Sequence, residues 1–480
     1  KLAHTSARGL DLTLVKSIFN FNTGTSNARS VTSRPMVTRL RFNPPLSKTM
    51  RHVVFLLVVM ATSSMALLGQ AHGDRGWAFD AEQYDARFPD MWHWAQAGVR
   101  CGIPNEGDFP VRETLEPGAD IQEALDRAAA KGGGVVLLKA GVYPIHEPLE
   151  MRDSVILRGV DRSGVALSNQ LRAPFFPNPF DNVSGIRFQN VRWAGLENLT
   201  VAYQAVNFSP VDYAYFDYPW QKQTFRNDPQ GERQLYVTHV TFDHARNAWI
   251  RNCQILNAGT DPILVLESEH ISITQSRVEG AYNKGGRGNG YFNIEQNSRY
   301  VLIAADTVRA IRHFAIQSGA KYNAIIGNDF EVDVNFHNGD GGHNLVEGNI
   351  IRIPEWHSWH CFSRGVPKHH RPPGPGNLLF NNYTQYKTFI PGKRERITEY
   401  GDSILYAFIE PVDTVQAWGQ PQTVHRYGPI DFSKMAHRHQ LYQMNPRWDN
   451  RKSVLPVDAG PPRTKTLYPI TYLGAAVNCW

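Results

Sequence analysis

Between Tyr291 and Phe336 one short strand recurs at nearly constant distance, and that recurrence constrains the fold more than any other feature of the chain. The runs YFNIEQNS from Tyr291, HFAIQSGA from His313 and DVNFHNGD from Asp333 alternate apolar and polar residues. A fourth, WHCFSRG from Trp359, follows a longer loop. The central apolar residues Ile294, Ile316 and Phe336 lie 22 and 20 residues apart. A repeat of that length is one coil of a solenoid, which buries its apolar face only against the coils above and below. Each of the first three runs is followed by a second β-type segment with Asn or Gly near its turn (RYVLIAADTV, KYNAIIGNDF, HNLVEGNIIRI). The expected fold class is all-β, a single-stranded parallel β-helix.

Alternation puts Ile294, Ile316, Phe336 and Phe362 inside the coil and their neighbours outside. The outward residues are then Glu295, Gln317, His337 and Ser363, preceded by Asn293, Ala315, Asn335 and Cys361. Two residues further upstream stand Tyr291, His313, Asp333 and Trp359. An inert solvent face would carry Thr, Ser and Lys. Amides, imidazoles, carboxylates and aromatics are what a sugar-binding surface needs.

Charge has to be read after the first 73 residues are set aside. Met50 opens MRHVVFLLVVMATSSMALLGQAHG, in which a basic residue, an apolar core and small residues near Ala71 and Gly73 form the pattern of a secretory signal peptide. The apolar core is interrupted by Thr and Ser and is short for a membrane span, so no stable membrane insertion is expected once it is removed. Residues 1–49 precede that signal and are expected to be an over-long upstream segment, with the mature chain starting near His72 or Asp74. Without residues 1–73 the chain keeps 41 basic and 43 acidic residues. The basic pI of about 9.0 therefore belongs to the leader, and nothing in the overall charge points to nucleic acid. The expected protein is secreted or periplasmic, and a monomer. Of its four cysteines, Cys253 lies in a repeat strand and is expected as a buried free thiol, while Cys101 and Cys479 can tie the two ends.

Residues 74–117 are aromatic-rich and irregular and are expected to wrap the N-terminal end of the solenoid. The stretch ADIQEALDRAAAKGGGVVLLKAGVYPI follows. Asp120 caps a helix whose residues Ile121, Leu125 and Ala128 share one face, Gly132 to Gly134 stop it, and VVLL begins a strand. This helix–GGG–strand–AGVY sequence resembles the opening of the pectin-lyase-like right-handed parallel β-helix superfamily, in which the helix caps the solenoid and the strand starts its first coil. The Asn- and Gly-punctuated repeats extend the resemblance to about residue 385, through a β-helix domain placed at 118–420, with 421–480 as a tail over the C-terminal end. The stretches GAYNKGGRGNGYF, SGAKYN, VNFHNGDGGHN and IPEWHSWHCFS also resemble a secreted bacterial subgroup of that superfamily. The resemblance implies a right-handed solenoid and one of several functions: polysaccharide lyase, glycoside hydrolase, esterase or non-catalytic adhesin.

Rungs of such a sheet lie about 4.8 Å apart, so His313 and Asp333 become direct neighbours, either as a structural pair or as an imidazole oriented for catalysis. His337 falls beside Gln317 and Ser363, with Glu295 two rungs away at roughly 9–10 Å, room for a sugar between two candidate bases. Lys321 and Asp340 occupy equivalent turns with His343 close behind, and Lys321 is a further catalytic candidate. Asn293, Gln317 and Asn335 are candidates for binding sugar hydroxyls. Trp356, Trp359 and the insertion Val211–Phe225 are candidates for stacking on the rings. Lys284, Arg287, Arg364 and Lys368 are placed in two wall loops, where their charge suits a uronate or sulfated sugar. A metal held by His313, Asp333 and His337 is conceivable, but the acidic cluster that calcium needs is thin and no cofactor is expected.

Lyase and hydrolase chemistry separate on one register. With Val265 stacked on Ile294, Leu266 neighbours Glu295 and β-elimination is favoured. With Leu266 stacked there instead, Glu267 joins Glu295 in the carboxylate pair that hydrolysis needs. A glycan-binding solenoid without chemistry would lack paired titratable groups. The expectation is a polysaccharide-degrading enzyme, with β-elimination ahead of hydrolysis.

Overall fold

A computed structural model of the protein describes residues 77–173, 183–203, 236–282, 290–352, 361–365, 368–385, 409–417, 420–427, 437–438, 441–446, 454–457 and 462–472. The upstream segment, the signal peptide, the insertion Val211–Phe225, and Lys284, Arg287, Trp356, Trp359 and Cys479 lie outside the described residues.

Three long sheets share one winding path, of eight, ten and twelve strands. Each coil gives one strand to each sheet, and strands one coil apart pair in parallel. Thus Tyr291–Glu295 pairs with His313–Gln317, and His313–Gln317 with Val334–His337. That order is a parallel β-helix, the class the spacing predicts. Inside it the side chains stack by row: Phe292, Phe314, Val334 and Phe362 in one, Ile294, Ile316 and Phe336 in the next, all fully buried. The helix Ile121–Ala130 covers the first coil. The Asp120 carboxylate accepts the Glu123 amide at 2.9 Å, and Ile121, Ala124, Leu125 and Ala128 face the core. One strand, Val111–Leu115, precedes that helix and lies parallel to Gly134–Leu138, so the twelve-stranded sheet begins a rung earlier than the sequence resemblance implies.

Two buried side-chain ladders hold successive coils in register. In the corner between the eight- and twelve-stranded sheets the Ser268 amide donates to Ser298 Oγ at 3.2 Å, and three positions further along the next coils a run of Asn323, Asn344 and Asn377 takes over. Each asparagine Oδ1 accepts the amide of the residue in register one coil back, from Val301 to Asn323 at 2.9 Å, Asn323 to Asn344 at 3.1 Å and Asn344 to Asn377 at 3.0 Å. In the next corner run Ser276, Asp306, Asn328, Asn349 and Asn382, joined at 2.6 to 3.1 Å. Just before this ladder the backbone takes a left-handed turn in every coil, with Gln275, Ala305, Gly327, Gly348 and Asn381 all at positive φ. A buried hydrogen bond of this kind contributes about 1 kcal/mol, and leaving its partner unsatisfied costs about 1–3 kcal/mol.

The ends fasten along the flank. Trp77–Phe79 pairs antiparallel with Ile470–Tyr472, and the buried Glu347 carboxylate accepts the Leu467 amide at 2.9 Å. His93 stacks on Tyr300 and Tyr322, and Trp94 Nε1 donates to the His343 carbonyl at 2.7 Å. The N-terminal segment therefore lies along the twelve-stranded sheet as far as His343, and only its last strand, Val111–Leu115, stands with the helix at the solenoid's N-terminal end. At the C-terminal end, antiparallel strands His437–Arg438 and Leu441–Met444 close two of the sheets. Cys101 is disulfide-bonded, whereas Cys253 and Cys361 are free and buried. Burial pushes the Cys253 thiol up to about 12. No helix among the described residues is long and apolar enough to cross a membrane.

Asp306 is the one carboxylate in an otherwise amide and hydroxyl ladder, and its Oδ2 is buried without a hydrogen-bond partner. Burial raises its pKa well above the usual range. The unfolded chain ionises at about 4, so above that pH folding requires proton uptake, and stability falls as pH rises toward the folded value. Asp306→Asn removes this penalty and supplies the donor that Asn328 Nδ2 provides one coil on. Thermal melts should show the variant more stable than wild type at pH 8, with the gap closing near pH 4. A variant no more stable at pH 8 contradicts the assignment.

Candidate active site

The eight-stranded sheet turns one face outward from the core, and its pairing arranges that face in three rows. His313 and Asp333 stand in one, beside Tyr291. Asn293, Ala315, Asn335 and Ser363 form the second. The third runs Gln189, Asp243, Leu266, Glu295, Gln317 and His337. The last rung differs from the sequence expectation. Phe362 stacks on Val334 rather than Phe336, so Ser363 falls beside Asn335 and not beside His337. Cys361 turns into the core, where its thiol meets the Ile351 carbonyl at 3.7 Å.

The first row holds a buried hydrogen-bonded pair. His313 Nδ1 lies 2.7 Å from Asp333 Oδ1, and both side chains are almost wholly inaccessible (1% and 0% exposed). The other oxygen, Oδ2, accepts from Asn335 Nδ2 at 3.1 Å and from the Ser363 hydroxyl. Three donors thus surround one carboxylate, as a buried charge requires.

The second and third rows are linked by a chain of four side chains whose direction is set at one end. Glu295 accepts from the Asn293 amide, with a carboxylate oxygen when ionised and with its carbonyl oxygen when protonated. Asn293 Oδ1 must then face Gln317 Nε2, at 3.0 Å, which leaves Gln317 Oε1 toward His337 Nδ1 at 2.8 Å. An oxygen there fixes the proton on Nδ1, so His337 Nε2 carries a lone pair. Burial pushes Glu295 up to about 7. Burial, then the charges of His313, His370 and Arg312, hold His337 well below the usual imidazole value, with Asp333 opposing. An uncharged base and a carboxyl group that titrates near neutrality therefore stand two rungs apart in one row.

Val265 stacks on Ile294, which puts Leu266 beside Glu295 and leaves Glu267 outside the row. The next carboxylate in that row is Asp243, two rungs from Glu295 across Leu266, roughly 9–10 Å away. Asp243 is clasped by His244 Nδ1 at 2.6 Å, and His244 Nε2 meets Glu267 at 2.5 Å.

Several residues singled out in the sequence stand elsewhere. Lys321 sits in the turn toward the twelve-stranded sheet, bridged to Arg299 and Gly342, with its ammonium 5.5 Å from the Tyr322 ring centre. It does not join the rows. Asp340 is buried and accepts from Gly342, Asn344, Gly374 and Asn377, and His343 pairs with Asp90 at 2.7 Å. Arg364 belongs to the strand Phe362–Arg364, in register with Phe336, and not to a wall loop. Two groups that the alternation rule does not reach complete the site. Arg312 carries its guanidinium 5.4 Å from the Tyr291 ring centre, and the His370 ring lies 4.1 Å from that of His337. Arg312 directly precedes a strand, and His370 comes from the segment after the last one, so neither had a repeat position to mark it. Among the described residues no group of three potential ligands is placed to hold a metal ion.

The hydrogen-bond polarity makes His337 a neutral, Nδ1-protonated imidazole. Nitrogen-15 spectra of the labelled protein should show that tautomer unchanged between about pH 5.5 and pH 8, on either side of the ordinary imidazole value of about 6.5. Titration of His337 near that value contradicts it, and Gln317→Ala should release the tautomer preference.

The chain matches no family model and no curated protein. Solved structures similar to it include a pectin methylesterase from carrot, at 11% identity and a TM-score of 0.36, covering 57% of this chain and 90% of that one. A pectin methylesterase from Erwinia chrysanthemi is similar at 11% identity and 0.37, over 60% and 94%. An exopolygalacturonase from Thermotoga maritima is similar at 11% and 0.33, over 62% and 85%. With TM-scores this low, the assignment of the parallel β-helix rests on the strand order itself.

Proposed function

We propose that the protein is an exported polysaccharide lyase that cleaves an anionic glycan, of the uronate class, by β-elimination. The observation that carries this reading is the polarity of the Glu295–Asn293–Gln317–His337 chain, which leaves a lone pair on His337 Nε2 in the same row as a carboxyl group near pH 7. His337 Nε2 removes the proton from C5 of the sugar. The C5–H electrons form the C4=C5 double bond, the C4–O4 bond breaks, and protonated Glu295 gives its proton to the leaving O4. Asn293 and Gln317 orient the base, and His313–Asp333 form a rigid floor with Asn335 and Ser363. Arg312, His313 and His370 all depress the His337 pKa by their charge. A bound sugar carboxylate opposes them, so an anionic substrate strengthens the base it is about to meet. That the neighbouring structures are named as acting on pectin or polygalacturonate agrees with a uronate substrate.

A specific observation favours one other reading. Asp243 and Glu295 flank Leu266 at a separation near the 6.5–9.5 Å of inverting glycoside hydrolases, and a carboxyl group at about 7 is a suitable acid. The two readings differ in product and in residue. Incubation with uronate polysaccharides should yield unsaturated ends, and His337→Ala should lose about 10²–10⁴ in turnover. Because Glu295 must be protonated to act, turnover should fall as pH rises through about 7, and Glu295→Gln should be slow and lack that limb. New reducing ends without unsaturation, lost with Asp243→Asn but not His337→Ala, would establish the hydrolase. No cleavage of any glycan would leave a binding solenoid.

A further inference from the structure

β-Elimination needs a third group, one that neutralises the sugar carboxylate while charge builds on C5. The carboxylate carbon is bonded to C5 itself, so a group beside the base, one rung beyond it, is within reach of that carboxylate when C5 lies over His337. His370 stands there, over Gly365, the rung that follows His337 in the row. Its ring lies 4.1 Å from the His337 ring, inclined at 58°. It reaches there from outside the repeat, on a segment that is fastened at several points. The Arg371 amide donates to Asn338 Oδ1 at 3.4 Å, and the Gly374 amide donates to Asp340 Oδ1 at 3.0 Å. Asp340 Oδ2 takes Asn377 Nδ2 at 2.7 Å and the Gly342 amide at 2.9 Å. The buried Asp340 carboxylate therefore pins the loop to the turn that follows His337. Gly365 completes the seat: a Cβ there would come within 2.6 Å of His370 Cγ, so the imidazole rests on bare backbone at the end of the strand Phe362–Arg364.

We infer that His370 is a specificity-determining residue that binds the carboxylate of the uronate beside His337, held in place by Gly365 beneath it and by Asp340 at the base of its loop. This rests on the anionic-glycan reading above and adds to it which residue recognises the charge. Among the described residues, other charged or titratable groups near the two imidazoles are Arg312, His313, Asp333, Tyr291 and His369. Of these, His313 and Asp333 already pair with each other in the floor, and Arg312 lies against Tyr291.

The test is calorimetric titration of wild type, His370→Ala and Gly365→Ala with tetragalacturonate and with its fully methyl-esterified counterpart, with melting temperatures recorded for each protein. Wild type should prefer the free acid. His370→Ala should lose roughly tenfold or more in affinity for it, the value of a charge-assisted hydrogen bond, and little for the ester. Gly365→Ala adds only a methyl group under the imidazole, yet should reproduce that selective loss, and the double variant should be no worse than either single one. If wild type prefers the acid and both single variants keep the full preference, this inference fails while the anionic-glycan reading stands. If wild type binds the two probes equally, or neither, both fail. If Gly365→Ala lowers the melting temperature, His370→Ala and His370→Gln decide alone, and an unchanged preference in them overturns the inference.

Discussion

The asparagine ladders are the constraint from which the rest of the molecule follows. A parallel sheet tolerates sliding by two residues with little cost to its apolar face, because the same parity stays inside. What forbids the slide is a side chain in each corner whose oxygen must meet one particular amide in the next coil. Asn323, Asn344 and Asn377 do this in one corner, and Asp306, Asn328, Asn349 and Asn382 in the other. With the coils locked, every outward side chain has a fixed neighbour above and below. The chemistry of the eight-stranded face is then a matter of which residues the register puts side by side.

That face is organised by hydrogen-bond direction as much as by proximity. Two amides, Asn293 and Gln317, carry the acceptor character of Glu295 across to His337 and decide which imidazole nitrogen holds the proton. The paired His313 and Asp333 satisfy each other below. The groups that depress the His337 pKa are cationic or able to become so, which is costly in the empty site and relieved by an anion. The same arrangement that weakens the base in isolation therefore ties its strength to the charge of what binds.

Much of this was legible in the sequence, for a definable reason. Ile294, Ile316 and Phe336 recur at coil length because each fills the same slot in a stacked core, and the contact between His313 and Asp333 follows from that count alone. Counting failed where the chain leaves the repeat. The segment between Arg352 and Cys361 hides the offset of the last strand, so alternation alone pairs Phe362 with Phe336, two residues from its partner Val334, and sets Ser363 beside His337 instead of Asn335. Lys321 and Asp340 share a turn position, but spacing does not say whether a turn residue faces a cleft or anchors a loop. Asp340 anchors one. The amides of Asn293 and Gln317 read as sugar ligands from composition, whereas their hydrogen bonds go to each other and to Glu295 and His337. His370 had no repeat position to reveal it.

In the proposed reaction one sugar of an acidic glycan lies along the row Glu295–Gln317–His337, between its acid and its base. A crystal structure of the inactive His337→Ala protein with a bound oligouronate tests it most directly. The sugar ring should lie over Gln317, with O4 toward Glu295 and C5 over the position vacated by the His337 ring. A sugar bound instead across Leu266, between Asp243 and Glu295, would contradict it and give the site to hydrolysis.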